Sequence, residues 1–339
     1  MLPAGWDVGL TGRDASRIPG DIAAAGGTFL AADRADAGRL ADVLGEGADL
    51  LVDCLCYDRA DAAALLPLAR NATSTVMIST KAVYADGSGR HANSAVKPCF
   101  DGPVRETQQT VPPGDEGYGQ RKVAAEHALL DSGLPVTVIR PGLIHGEGAR
   151  IPPEWVFVKR VLDRRPRIFL AGRGAGVNQP TAAANLAALI EVVAAKPGGR
   201  ILNGADPDAP SALEMSRTIA RLLGHEWEEV LLDEPVGSVG RHPWQAPHPV
   251  VLDTSAAVSL GYVAAGATRQ RWPPRLTGSC GPRPVAPTPR PVAPTPRAPP
   301  TPRYSPASTG TTSGRCSTTP QRIASTPGRL ATERPSPPV

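Results

Sequence analysis

Between Trp6 and about Pro141 short apolar runs alternate with helical stretches, and few folds accommodate that rhythm. The segments WDVGL, GTFLAAD, ADLLVDCLC, STVMIST and LPVTVIRPG read as five strands, with helices between them such as residues 36–44, 61–68 and 118–130. Strands that stay apolar over most of their length must be covered on both faces, which is the condition of a parallel sheet flanked by helices. The expectation is an α/β domain with a doubly wound parallel sheet.

Past Pro141 the rhythm loosens. Residues 155–162, 183–195 and 211–225 read as helices, RIFLAG and GRILNGAD as short strands, and residues 241–262 as a mostly irregular close. Such a mixture predicts a small substrate-binding lobe over residues 142–266, interleaved with a first domain over residues 1–141. At about Ala267 the composition changes abruptly. From Arg269 onward the chain holds eleven arginines, no lysine and one acid, Glu333, together with 18 of the 38 prolines and two copies of RPVAPTP. So little aliphatic material and so few backbone donors cannot build a packed core, so residues 267–339 are expected to form a disordered tail. The switch has the character of an out-of-frame reading of a GC-rich gene.

The tail carries +10 in a chain whose net charge is +4, which leaves residues 1–268 at −6. The basic balance is thus a property of the tail, and without lysines and almost without aromatic residues it offers nucleic acid no stacking platform. No apolar run nears the roughly 18 residues of a membrane span, and the first residues lack the pattern of a cleaved leader. A soluble, cytoplasmic chain is expected. Cys54, Cys56, Cys99, Cys280 and Cys316 are odd in number and lack metal-ligand spacing, which suits reduced thiols and predicts no metal. Cys54 and Cys56 are expected on one face of the third strand, packed in the core.

The chemistry concentrates at the strand ends. Tyr118 and Lys122 stand four apart in YGQRK, one turn from each other on one side of a helix. An ammonium beside a phenol stabilises the phenolate and lowers the tyrosine pKa from about 10 toward neutrality, which suits proton transfer. One strand earlier an apolar run ends in Ser79 and Thr80; one strand later another ends in Arg140, Pro141 and a glycine-rich turn. Polar groups after the carboxyl ends of successive parallel strands converge on the crevice where open α/β sheets bind their ligands.

Taken in order, ISTKAVY, YGQRK and RPGLIHGEG resemble the extended short-chain dehydrogenase/reductase superfamily, its NAD-dependent epimerase/dehydratase group, over about residues 5–262. The resemblance implies a Rossmann-type sheet and hydride transfer between NAD or NADP and a sugar nucleotide or a similar alcohol or ketone. It puts the general acid/base on Tyr118, the orienting hydroxyl on Thr80 with Ser79 beside it, and a nicotinamide-ribose contact on Lys122. Further cofactor contacts are implied at Arg13, Asp33, Arg140 and Pro141. An arginine at position 13 suits the 2′-phosphate of NADP, although Asp14 follows it, and Asp33 is either an adenine contact or a helix N-terminal acid. Asn185 falls at the start of a helix where the family has Asp or Asn. Residues 85–117 make a longer insert than the family often has and are expected to cover the site. A homodimer is compatible with this reading.

The family's first strand and its Gly-x-x-Gly-x-x-Gly turn are not found; WDVGL corresponds by position to the second strand. None of GLTGRD, GRGAGVNQP and GEGAR both follows a strand and opens a helix. Two readings stay open, an enzyme of this class and a truncated or non-catalytic relative that binds or senses. The lack of an anion cradle predicts weak dinucleotide binding. It also predicts an incomplete sheet, because the strand in question is central in the order 3-2-1-4-5-6.

Overall fold

The computed structural model describes residues 1–266 apart from 19, 147, 148, 150 and 151, so the expected tail lies outside the described residues. In chain order the elements are β1 (Gly9–Gly12), α1 (Gly20–Ala24), β2 (Thr28–Ala31), α2 (Ala37–Leu44), β3 (Ala48–Asp53), α3 (Arg59–Ala69), β4 (Ala72–Ile78), α4 (Tyr118–Leu130) and β5 (Val136–Pro141). They continue as β6 (Leu143–His145), α5 (Trp155–Leu162), β7 (Arg167–Leu170), β8 (Pro180–Ala182), α6 (Ala183–Ala195), β9 (Arg200–Gly204), α7 (Ala212–Leu222), β10 (Glu228–Leu231) and α8 (Ser255–Ser259).

The main sheet is parallel, in the order β3-β4-β5-β9. The two-residue period of its strands sorts the core into two layers. Val76 and Ile78 of β4 join Ile139 of β5 against Leu186, Leu189, Ile190 and Val193 of α6. Met77, Val136 and Val138 face the other way, onto Ala62, Leu65 and Leu68 of α3 and Ala125 and Leu129 of α4. Helices on both faces of a parallel sheet make the doubly wound, Rossmann-type arrangement that the sequence predicts. Local chemistry starts the helices where they are needed: the Asp58 carboxylate accepts from the Asp61 N–H at 2.9 Å ahead of α3, and Ser211 and Glu214 form a reciprocal capping box on α7.

The sheet is divided. β1 and β2 form a parallel pair of their own, and among the described residues no hydrogen-bond ladder joins β1 to β3. Both strands are half-buried or exposed along their length, in contrast with β5, whose six residues are all buried. Arg34, just after β2, bridges the division at the carboxyl end, 2.5 Å from Asp53 at the end of β3 and 3.4 Å from Asp61 on α3.

A second core lies under β7 and β10, which pair in parallel. There Phe157, Val158 and Val161 of α5 and Met215 and Ile219 of α7 surround the fully buried Trp244, with the Phe157 and Trp244 rings stacked at 5.5 Å. The sequence reading does not contain α1, β6, β8, β10 or α8. Each has three to five residues, too few to carry a period. It also runs the third strand through Cys56, whereas β3 ends at Asp53, whose carboxylate accepts from the Leu55 N–H at 2.6 Å and turns the chain. Cys54 is consequently exposed and Cys56 buried, so the two thiols do not share a strand face. Among the described residues no helix is long and apolar enough to cross a membrane.

Candidate active site

α4 opens at Tyr118 with Gly117 as its N-cap and no side-chain cap. The second residue, Gly119, lies so near the turn Lys81–Val83 that a Cβ there would sit 2.9 Å from the Ala82 carbonyl oxygen. Only glycine permits that approach, and through it the head of α4 rests on the turn after β4. Thr80 leads that turn, its Oγ1 accepting from the Ala82 N–H at 3.1 Å, and its hydroxyl lies on the Tyr118 side, near enough to lower the phenol pKa. Tyr118 remains 39% exposed, so the pair is open to a ligand. Ser79 is turned the other way, buried and donating to the Glu126 carboxylate. Of the two neighbouring hydroxyls, Thr80 is the one that acts on the tyrosine, while Ser79 serves Glu126.

Lys122 is on the same side of α4, as the spacing requires, but its ammonium is drawn beneath the strand ends. It donates to the Cys56 carbonyl at 2.7 Å and the Ile78 carbonyl at 2.9 Å, and lies 4.6 Å from the Tyr57 ring centre and 6.0 Å from that of Tyr118. This corrects one expectation. The phenol is not held down by the ammonium: burial pushes the Tyr118 pKa up, opposed by the Thr80 hydroxyl, and burial lowers that of Lys122. The Ile78 carbonyl closes β4 and the Cys56 carbonyl lies in the turn after β3, and both receive the ammonium in place of the phenol.

Arg140 and Pro141 end β5, as expected, yet neither is offered to the crevice. Arg140 is buried, with Nη2 2.5 Å and Nε 3.2 Å from the Glu126 carboxylate, Nη1 3.4 Å from the Glu106 carbonyl, and its guanidinium 4.9 Å from the Tyr84 ring centre. Pro141 is buried in register with Gly204. The guanidinium is neutralised and all its nitrogens are engaged inside the protein. Asn185 is likewise internal, donating at 2.7 Å to Asp206 and at 2.7 Å to the Gly266 carbonyl.

Arg13 and Asp33 follow the carboxyl ends of β1 and β2, 3.9 Å apart and both well exposed. Arg13 helps line a groove of about 540 Å³ together with Leu10, Gly12, Asp14, Ile22 and Phe29. The insert of residues 85–117 folds back on the body of the chain, with Val111 N–H donating to Val83 and Val104 N–H to Val251, each at 2.8 Å, and closes on itself where Ala85 N–H donates to Gln109 at 2.8 Å. Three site residues escape the sequence reading. Glu126 was within reach, since it continues the spacing of Tyr118 and Lys122 by one more turn. Tyr57 and Lys81 carry no such signal, because what matters about them is set by partners elsewhere in the chain.

No family model matches the chain, and no curated protein matches it. Solved structures do. A UDP-glucuronic acid 4-epimerase from Bacillus cereus, in complex with UDP-glucuronic acid and NAD, is 17% identical with a TM-score of 0.55, over 79% of this chain and 89% of that one. A dTDP-glucose 4,6-dehydratase from Bacillus anthracis in complex with NAD is 16% identical with a TM-score of 0.58, over 79% and 86%. The Bordetella bronchiseptica enzyme WbmG, in complex with NAD and UDP, is 20% identical with a TM-score of 0.55, over 80% and 84%. The chain has the fold of these proteins.

Proposed function

We propose that this protein is an NAD(P)-dependent enzyme that acts on a nucleotide sugar or a similar alcohol or ketone. The neighbouring Thr80 and Tyr118 hydroxyls at the carboxyl end of a parallel sheet carry the reading. A substrate oxygen seated between those hydroxyls gains a donor on each side, and Tyr118 passes its proton to that oxygen or takes one from it. Thr80 holds the oxygen in line. Lys122, fixed by two carbonyls, positions the strand ends around the tyrosine, and it is the cation this reading assigns to a ribose hydroxyl.

A nicotinamide cofactor supplies or accepts hydride when bound. The residues present fit parts of that group: Lys122 at the nicotinamide ribose, and Arg13 and Asp33 beside the groove at β1 for the adenosine. The divided sheet favours a second reading, a relative that binds ligand without turnover.

Turnover decides between them. The full chain is assayed with NAD and NADP against nucleotide sugars, beside Tyr118→Phe. The expected loss is about a hundredfold or more in turnover with cofactor affinity nearly unchanged, because the phenol oxygen serves proton transfer rather than binding. Equal rates in the two proteins would remove Tyr118 from the chemistry, and ligand binding without turnover by the wild type would favour the second reading.

A further inference from the structure

Tyr57 lies in the turn after β3, and its backbone N–H donates at 2.7 Å to the Asp61 carboxylate on α3. Its ring centre is 6.5 Å from that of Tyr118, with the two planes tilted by 50°, and the Lys122 ammonium stands 4.6 Å from it. The same ammonium is 6.0 Å from the centre of the Tyr118 ring. Lys122 is buried whereas Tyr57 is 45% exposed, so the Tyr57 ring is a cover over the cation rather than part of the core.

An aromatic face attracts a cation lying within about 6 Å of its centre, and the attraction strengthens where water is excluded. Tyr57 is well inside that reach and Tyr118 is at its limit. Lysine carries its charge on a flexible aliphatic stem, so the groups on either side decide where the ammonium rests. The titratable and charged groups around it are Cys54 and Cys56 in the same turn, Asp53 and Asp61, both paired with Arg34, and Glu126, paired with Arg140. Each of these acids already has an arginine. The two rings are therefore what competes for the ammonium above its carbonyl partners.

We propose that Tyr57 is a positioning residue, whose ring holds the Lys122 ammonium beside the Cys56 turn and away from the Tyr118 phenol, and thereby governs proton transfer at Tyr118. The inference deepens the enzyme reading above and rests on it for that last step. Burial raises the Tyr118 pKa and the ammonium does not offset the rise, which agrees with a cation held by another ring. A packing role for Tyr57 is the alternative, and it would leave the titration of Tyr118 unmoved.

The test follows the Tyr118 phenol by NMR of the full chain carrying isotope-labelled tyrosine, its signal assigned by its loss in Tyr118→Phe. The wild type is compared with Tyr57→Leu, Tyr57→Met and Tyr57→Phe. Leucine and methionine keep apolar bulk without an aromatic face, so the ammonium turns toward the phenol. Half-ionisation of Tyr118 should then come at about tenfold higher proton concentration, the effect of an opposite charge brought within reach. Tyr57→Phe keeps the ring and should match the wild type. Because the side chain is half-exposed the variants should fold, which urea unfolding checks. An unmoved titration in Tyr57→Leu and Tyr57→Met overturns the role of Tyr57 and leaves the enzyme reading standing. An equal shift in Tyr57→Phe puts the effect on the hydroxyl and overturns the role of the ring. The pH profile of turnover should move with the titration. A profile that stays in place while the titration moves takes proton transfer away from Tyr118, and with it both the enzyme reading and the last step of the inference. Absence of turnover in the wild type overturns the same two, while the titration still decides whether Tyr57 holds the ammonium.

Discussion

Arg140 closes β5 and Lys81 stands just beyond β4, at the same end of the sheet, and their surroundings differ. Arg140 is met by the Glu126 carboxylate on two nitrogens, and Ser79 completes the network from the neighbouring strand. Lys81 is met by an amide oxygen and a backbone carbonyl. The first cation is electrically closed; the second is tied to neutral oxygens. The same division separates Ser79, locked onto Glu126, from Thr80, which acts on Tyr118. Position at a strand end therefore does not make a polar residue functional. What counts is whether the protein has already supplied its partner.

The closed half should be the more costly to break. Glu126→Ala strands a buried guanidinium and leaves Ser79 without its acceptor, and the expected loss is about 3–5 kcal/mol in urea unfolding. Replacing both partners, as Glu126→Leu with Arg140→Met, should recover much of that loss, because two apolar side chains leave no charge behind. If Glu126→Ala costs no more than a surface substitution, Arg140 is reached by water and the contrast with Lys81 fails.

The contact between α4 and the turn after β4 comes next in size. Gly119→Ala puts a Cβ 2.9 Å from the Ala82 carbonyl oxygen, and backbone on both sides leaves little room to yield. The expected cost is about 1–3 kcal/mol. The head of α4 must move away from the turn, so turnover should fall further than stability alone explains. An unchanged turnover number would show that the Thr80–Tyr118 contact does not depend on this approach.

The sequence is most legible where a helix is long and patterned. α4, α5 and α6 have the bounds that their periodicity predicts, and α4 brings Tyr118 and Lys122 to the strand ends where Thr80 lies. What escapes is pairing at long range. Lys81 sits inside the most recognisable motif of the chain, yet its environment depends on Asn178, 97 positions away. Arg140 likewise ends a strand in the sequence, but its pairing with Glu126 is not visible there. The lowered phenol pKa fails for a related reason: spacing along a helix says which side Lys122 is on, while the Cys56 and Ile78 carbonyls decide where its ammonium ends.

The smallest effect probes the open half directly, through pH. Lys81 has an ordinary pKa of 10.5 and is lowered to about 7 by burial. Below pH 7 the group is protonated in folded and unfolded chains alike, and its desolvation penalty is fully present. Between about pH 7 and 10.5 the unfolded chain binds the proton and the folded chain does not, so stability rises with pH across that window and is flat above it. Lys81→Met removes the titration but leaves Asn178 and the Gln179 carbonyl without their donor, a cost that does not vary with pH. Unfolding free energies of the two proteins at pH 6.5, 8 and 9.5 isolate the effect, since every other titrating group is shared. The difference should shift in favour of the wild type by about 1 kcal/mol or more across the series, the worth of roughly one pKa unit. A constant difference would mean that the ammonium is hydrated and that burial does not act on it.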